Sequence, residues 1–409
     1  MFFKLYTLGC KVNQYETEYL REGLFRLGYI ESAANEIADV VFLNTCAVTS
    51  ESEAKGRKLA RRIVKENHGA ELIIFGCSAR RDKEQYLRID GVTKVEATQE
   101  WVERFLTDKG LQELPSGISS FGERHRAYVK VQDGCRVGCS YCIIPSVRPI
   151  LKSRRVGEVL GEVRELVNNN YREIVLTGIH LGHYGVDLSG EERATLAELV
   201  ERVVAIAGNF RIRLSSLEAV EVSEELIKIM LRNPTKICPH LHLPMQSGND
   251  EILLRMRRRW LSGEYVKCCE GLRERFDKLA LTTDVIVGFP SETDEQFEQT
   301  CEVIRKLQFS KTHIFRYSPR QGTEAAKFTD QIPQRIILQR VQHLSEIAKK
   351  LRENYAASFI GATAQVLFET NQTGTTNHYL QFKTNQSHNT GNLESIKIKN
   401  SNGEILLSY

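Results

Sequence analysis

The chain has 409 residues, 41% of them hydrophobic and 26% charged, which is enough apolar material for two or three domains with sizeable cores. A formal net charge of +4 permits a nucleic-acid partner without requiring one. No run approaches the ~18–20 apolar residues of a membrane span and no basic segment precedes a long apolar stretch, so the expectation is a cytoplasmic protein without a membrane partner.

Ten cysteines then need a reason. A disulfide framework is not expected without an export signal, because reducing compartments keep thiols free, and metal or redox chemistry becomes the leading explanation. Thr7-Leu8-Gly9-Cys10 faintly resembles a lipoprotein cleavage site, but the stretch before it is short and Lys4 interrupts it.

In chain order, the pattern predicts a strand at Phe3–Thr7, a helix from Gln14 to Leu27, a strand at Asp39–Leu43, a charged helix at Glu51–His68 and a strand at Leu72–Phe75. Apolar strands separated by amphipathic helices imply an open parallel α/β sheet. Cys10, Cys46 and Cys77 each fall just past a strand, so all three emerge at the carboxyl edge, where such sheets bind ligands. One such cysteine reads as a small buried apolar residue; three at equivalent positions read as shared ligands.

Leu111–Arg126, with Pro115, Gly117 and several serines, reads as a linker. From Ala127 the alternation resumes, with strands at Ala127–Val131, Glu173–Leu176, Phe210–Leu214, Cys238–Leu243, Leu279–Val287 and Thr312–Phe315. About six βα repeats in ~230 residues imply a partial or full (β/α) barrel, closed by a long amphipathic segment, Pro333–Tyr355. Short β-like runs at Thr363–Glu369, Tyr379–Lys383 and Ser395–Lys399 make the remainder a small all-β module, with Asn371–Asn377 and Thr384–Asn392 as polar loops. The expected division is 1–112, a linker at 113–126, 127–355 and 356–409.

Gly134-Cys135-Arg136-Val137-Gly138-Cys139-Ser140-Tyr141-Cys142 directly follows a strand with the spacing Cys-x3-Cys-x2-Cys. Three thiolates on one tight loop hold three corners of a cubane cluster and leave one iron without a protein ligand. An open iron can chelate the amino and carboxylate groups of S-adenosylmethionine, and an electron from the cluster then yields an adenosyl radical. Zinc is the competing reading, although a structural zinc wants a fourth ligand nearby and His125 is poorly placed for it. Tyr141, before the third cysteine, fits an adenine contact.

The spacing resembles that of the radical S-adenosylmethionine superfamily, and nearly the whole chain resembles its methylthiotransferases. Leu8-Gly9-Cys10-Lys11-Val12-Asn13-Gln14-Tyr15-Glu16-Thr17-Glu18, Asn44-Thr45-Cys46-Ala47-Val48-Thr49 and Gly76-Cys77 look like the cysteine motifs of the family's N-terminal domain. Leu176-Thr177-Gly178-Ile179-His180, Leu241-His242-Leu243-Pro244-Met245-Gln246-Ser247-Gly248, Asp284-Val285-Ile286-Val287-Gly288-Phe289-Pro290 and Tyr317-Ser318-Pro319-Arg320-Gln321-Gly322-Thr323 match its barrel, and the β module sits where the family carries a TRAM domain. The first two cysteine motifs resemble the branch acting on N6-threonylcarbamoyladenosine. The chain departs from the family at Arg148-Pro149, where Arg-Gly is usual, and in lacking an aromatic residue after Cys77.

The resemblance implies two 4Fe–4S clusters, one on Cys135, Cys139 and Cys142 and one on Cys10, Cys46 and Cys77. It implies two S-adenosylmethionine molecules, one methylating a sulfur and one supplying the radical, and transfer of a methylthio group to carbon 2 of the adenine at position 37 of tRNA. The partners would be the tRNA anticodon stem-loop and an electron donor protein. Thr177 and Gly178 are candidates for the methionine moiety, Ser215 and Glu218 for ribose hydroxyls and Gly288 for close backbone approach to adenine, each with a plain reading as a barrel-mouth residue.

His180, His183 and Asp187 follow the second barrel strand, where they could face substrate, although a histidine in an exposed loop is more often uninvolved. Cys238, Cys268, Cys269 and Cys301 read as small buried residues. The run Arg255–Arg259 and the groups Arg61-Arg62, Arg80-Arg81 and Lys152-Ser153-Arg154-Arg155 could contact phosphates, with Trp260 available for stacking, although charge runs are often solvated faces. Three readings stay open beside the first: methylthiolation of isopentenyladenosine, methylthiolation of a ribosomal-protein side chain, and a zinc-bearing RNA-binding protein without catalysis.

Overall fold

The computed structural model describes residues 1–33, 35–122 and 125–409, so Glu123 and Arg124 of the expected linker lie outside the described residues. Apolar strands and amphipathic helices alternate through the first part as β1 (Phe2–Thr7), α1 (Lys11–Arg26), β2 (Ile30–Glu31), β3 (Val40–Thr45), α2 (Ser50–Glu66), β4 (Glu71–Gly76), α3 (Cys77–Arg81), α4 (Lys83–Leu87), β5 (Lys94–Val95) and α5 (Trp101–Asp108). The strands form one parallel sheet in the order β2-β1-β3-β4-β5. β3 is buried along its whole length, as a central parallel strand covered on both faces must be. Leu20, Leu24, Phe105 and Leu106 cover one face, and Ala60 and Ile63 of α2 cover the other. Helix α1 begins earlier than the periodicity suggests, so Cys10 is its N-cap residue.

The barrel follows as β6 (Arg126–Asp133), α6 (Ile144–Val147), β7 (Lys152–Ser153), α7 (Val156–Asn168), β8 (Glu173–Gly178), α8 (Leu196–Val204), β9 (Arg211–Leu214), α9 (Glu224–Arg232), β10 (His240–His242), α10 (Asp250–Arg255), α11 (Ser262–Arg275), β11 (Ala280–Val287), α12 (Asp294–Leu307), β12 (Lys311–Arg316) and α13 (Gln334–Ala357). Six parallel strands run β6-β8-β9 and β10-β11-β12, joined by the bridges Ile212–Ile237 and Ser216–His242. β6 pairs on its other edge with the antiparallel β7 and not with β12, so the barrel is a partial one. The expected linker is a packed strap: Ile118 and Phe121 are buried, Ile118 N donates to Glu162 at 2.8 Å and Phe121 N to the Tyr171 hydroxyl at 2.5 Å.

The last part holds β13 (Thr363–Phe368), β14 (Thr373–Thr376), β15 (Gln381–Lys383), β16 (Leu393–Lys397), β17 (Asn400–Asn402) and β18 (Ile405–Leu407), in the order β16-β13-β14-β15-β18-β17. All pairs are antiparallel except β15 with β18. β14 lies inside the stretch read as the polar loop Asn371–Asn377. Branched threonines suit a strand, and Thr376 Oγ1 accepts from Leu380 N at 3.0 Å, so a polar sequence is buried here with its hydroxyl satisfied. Among the described residues, no helix is long and apolar enough to cross a membrane.

One buried carboxylate joins this module to the barrel. Glu173 pairs with Arg126 at 2.6 Å, Arg211 at 2.6 Å and Arg213 at 2.9 Å. Arg211 in turn donates to Gln365 O and Thr375 O, both at 2.9 Å, and Arg213 to Asn377 O at 3.0 Å. Burial alone would raise Glu173, but the three guanidinium groups hold it well below the usual carboxylate range, so its contribution is present at neutral pH and lost as acid protonates it. Glu173→Ala strands the buried cations Arg211 and Arg213 and leaves Arg126 to Glu369, and is expected to cost about 3–5 kcal/mol in urea unfolding, with earlier proteolytic release of the C-terminal module.

Candidate active site

Gly134 ends β6 at φ +78°, and a side chain there would strike the Ile150 carbonyl, so glycine lets the chain turn sharply into the loop carrying Cys135, Cys139 and Cys142. Ser140 anchors that loop. Its N–H donates to Met256 O at 3.1 Å, its hydroxyl to Arg255 O at 2.7 Å, and its carbonyl accepts from Ala325 N at 2.8 Å. Two of the sulfurs face basic side chains: His180 Nδ1 lies 3.5 Å from Cys135 Sγ, and Arg258 Nη1 donates to Cys139 Sγ at 3.2 Å. Glu221 holds the other ring nitrogen of His180 at 2.6 Å, and Glu218 pairs with Arg258 at 3.0 Å.

Burial opposes a charge on His180, but its bonds to Cys135 and Glu221 outweigh that and raise it to about 9. The exposed loop expected after β8 is therefore corrected at this residue, because the loop folds back under Glu221 and buries the ring. His183 stacks on His180 at 3.8 Å between ring centres. Asp187 is occupied with β7, accepting from the N–H and hydroxyl of Ser153.

The early trio meets at the carboxyl edge of the first sheet. Asn13 Oδ1 lies 3.7 Å from Cys10 Sγ and 3.9 Å from Cys77 Sγ, and a side chain at Gly9 would come within 3.0 Å of the Cys46 Cβ. Arg148 Nε donates to Cys77 Sγ at 3.2 Å. Cys77 also packs against Ile143 and Val147, in the segment that directly follows Cys142. The two trios thus flank one short stretch of chain. Among the described residues, neither belongs to a set of three donor atoms lying within 4.8 Å of one another.

A cavity of about 170 Å³ opens between the two groups. Val48 and Thr49, just after Cys46, line one side; Tyr141, Cys142 and Ile143 line another; Gln246, Asp284, Phe315, Tyr317, Ser318 and Arg320 are among the remaining lining residues. Tyr141 packs in the cluster of Met256 and Phe289, with its hydroxyl 3.4 Å from Arg258. Thr177 is buried at the end of β8, and Gly178 lies against Gln132. Ser215, just past β9, is buried, and among the described residues its hydroxyl has no hydrogen-bond partner. Glu218 is committed to Arg258 and Arg259. At Gly288, φ +78°, the close approach is made by α13, whose Ile337 fills the space a side chain would need, and the N–H donates to Glu292 at 2.7 Å.

Residues 3–96 match the family described as Uncharacterized protein family UPF0004, and residues 129–304 match the Radical SAM superfamily. The threonylcarbamoyladenosine tRNA methylthiotransferase MtaB of Chlamydia pneumoniae is 40% identical over 90% of this chain and 86% of its own length. The chain belongs to the radical S-adenosylmethionine tRNA methylthiotransferase family. The MtaB of Thermotoga maritima is 37% identical over the same shares, and a tRNA-2-methylthio-N(6)-dimethylallyladenosine synthase of Corynebacterium efficiens is 31% identical over 90% of this chain and 74% of its own. Among solved structures, the radical S-adenosylmethionine methyltransferase TsrM of Kitasatospora setae shares the fold, with a TM-score of 0.58 at 12% identity over 80% of this chain and 77% of that one. Membership makes this chain an enzyme with a 4Fe–4S cluster and S-adenosylmethionine as cofactors.

Several side chains of this methylthiotransferase gain a place only here. Arg148 and Arg258 each put a guanidinium on a cysteine sulfur. His242, Asp284 and His313 lie within 4.8 Å of one another on adjacent strands, and Asp284 lines the cavity. Their signal in the sequence is weak: polar residues within strands that otherwise face a core. Trp260, read as a stacking surface, is 2% exposed and belongs to the core, which corrects that expectation. Most of the basic groups are also taken up internally: Arg255 by Asp330, Arg257 by Glu324, Arg81 by Glu53, Arg154 by Glu162, and Arg80 by two carbonyls.

Burial pushes the Cys46 thiol up to about 11 and that of Cys142 up to about 12. Both are therefore neutral near pH 7 in the metal-free protein, and iron binding must expel their protons. Cluster reconstitution is expected to strengthen as pH rises from about 7 to about 9, with proton release measurable in weakly buffered solution. Loading that is independent of pH would contradict the buried-thiol state.

Proposed function

We propose that this methylthiotransferase places a methylthio group on carbon 2 of N6-threonylcarbamoyladenosine at position 37 of tRNA. Two S-adenosylmethionine molecules are consumed, one giving the methyl group and one the radical. The observation behind this is the convergence of two cysteine trios on either side of residues 143–148, beside a cavity with walls from both parts of the chain. Support for the nucleoside comes from the MtaB relatives, which are more similar to this chain than the dimethylallyladenosine synthase of Corynebacterium efficiens.

Cys135, Cys139 and Cys142 are assigned to the cluster that binds S-adenosylmethionine, and Cys10, Cys46 and Cys77 to a second 4Fe–4S cluster. Bound there, these groups supply the sulfur and the carbon-centred radical that an unactivated aromatic C–H bond requires. His180 and Arg258 direct donors at the first trio and Arg148 at the second, which favours sulfur in its anionic form. Ser215 keeps a buried hydroxyl free for a cofactor ribose, with Thr177 and Gly178 beside it at the barrel mouth. Tyr141 offers an aromatic wall to the cofactor adenine, and Glu218 acts through the arginines it holds. Phe315, 40% exposed at the cavity, presents a ring face for the extruded purine, while Ile143 and Ile144 keep that wall dry. The anticodon stem-loop, an electron donor protein and a cytoplasmic setting complete the proposal.

Nucleoside mass spectrometry of tRNA from cells lacking this protein tests the substrate. Loss of the methylthio form of N6-threonylcarbamoyladenosine is expected, and an unchanged level, or loss of the isopentenyl derivative instead, rejects it. Cys135→Ala, Cys139→Ala and Cys142→Ala are each expected to abolish reductive cleavage of S-adenosylmethionine. Cys10→Ala, Cys46→Ala and Cys77→Ala should spare cleavage and stop methylthiolation; product from the second set would overturn the two-cluster assignment.

A further inference from the structure

Five cations stand on one face of α2. Lys55, Lys58, Arg61, Arg62 and Lys65 are exposed, three or four residues apart for the most part, and with Leu59 they line a shallow groove of about 450 Å³. Lys55 pairs with Glu51 and Arg62 with Glu66, both fully at the surface where such pairs hold weakly. Among the described residues, Lys58, Arg61 and Lys65 form no ion pair. This sets the face apart from Arg154, which is paired with the buried Glu162, and from Arg80, whose guanidinium is held by the carbonyls of Thr98 and Gln99.

The helix has a direction as well as a charge. Its first residue belongs to the cavity rim: Ser50 Oγ lies 2.8 Å from Ser318 Oγ and accepts from Arg320 Nη1 at 2.9 Å, and Ser318 and Arg320 line the cavity. From there α2 runs outward for 17 residues, or about 25 Å at 1.5 Å per residue. A row of cations leading away from a nucleobase-sized opening is complementary to the phosphates of the strand that would deliver the base. The C-terminal module offers no such match, carrying three Lys against three Glu without Arg or Asp.

We propose that the outer face of α2, centred on Lys58, Arg61 and Lys65, binds the phosphate backbone of the substrate RNA stem while the target base occupies the cavity. This rests on tRNA being the substrate. Phosphate contacts position a nucleic acid without reading its sequence, so the face supplies affinity and register common to every tRNA accepted.

The test uses the full-length, cluster-loaded enzyme and tRNA carrying N6-threonylcarbamoyladenosine, with the affinity titrated at several KCl concentrations. Charge reversal by Lys58→Glu, Arg61→Glu and Lys65→Glu together is expected to raise Kd at least about tenfold and to flatten the log–log salt slope by about two. Reductive cleavage of S-adenosylmethionine without RNA should stay at the wild-type rate, since none of the three residues lines the cavity. Lys349→Glu with Lys350→Glu, exposed cations on α13, should change Kd less than about twofold. Should the reversed protein fold poorly, the Lys58→Gln, Arg61→Gln, Lys65→Gln form decides in its place, with a smaller loss of affinity and slope. Wild-type Kd and slope in the α2 variants, or an equal loss in the α13 control, overturn the inference. A wild-type enzyme that neither binds nor modifies this tRNA overturns the substrate reading instead.

Discussion

Arg148 is fully buried and carries a charge that has to be neutralised where it lies. Its guanidinium donates to both oxygens of Glu16 on α1 at 2.6 and 2.8 Å, to Asp133 at the end of β6 at 2.8 Å, to Asn13 Oδ1 at 3.0 Å and to Cys77 Sγ at 3.2 Å. Lys130 adds a second cation against the same two carboxylates. Burial alone would raise both acids, but the cations hold Glu16 and Asp133 below their ordinary range. A balanced set of two cations and two carboxylates in low dielectric tolerates little displacement. It therefore fixes the first sheet onto the barrel, and with it the distance between the two cysteine trios.

A second charged layer surrounds the loop trio. Glu218 and Glu221 hold Arg258, Arg259 and His180, and two of these face cysteine sulfur. The carboxylates orient the basic groups and the basic groups face the thiolates, so Glu218 and Glu221 influence the sulfurs without touching them. Neutral buried thiols become ligands only on deprotonation, and cationic neighbours lower the cost of that change.

The same device recurs at the far end of the barrel, where Glu173 gathers three arginines that reach the carbonyls of the C-terminal sheet. Two ion-pair centres, around Arg148 and around Glu173, thus join the parts of the chain and a further one lies within the barrel, while α2 keeps its cations at the surface. Arginine serves at the joints because its planar fork binds several acceptors at once; three of the five cations on the α2 groove face are lysines, whose flexible side chains stay in solvent.

Local pattern was enough to place the six barrel strands, the parallel first sheet and the loop of Cys135, Cys139 and Cys142, because strand and helix periods report which side of a segment is buried. It was also enough to bring Cys10, Cys46 and Cys77 to one edge, since parallel strands end on the same side. It could not reveal that Arg148 meets Glu16 and Cys77, that Glu221 buries His180, or that Trp260 belongs to the core. Nor could it separate the arginines that are neutralised internally from the cations left free on α2. A charge run looks the same in either case. What decides its fate is the carboxylate that arrives from a segment far away in the chain, and that meeting exists only after the sheet, barrel and module have packed.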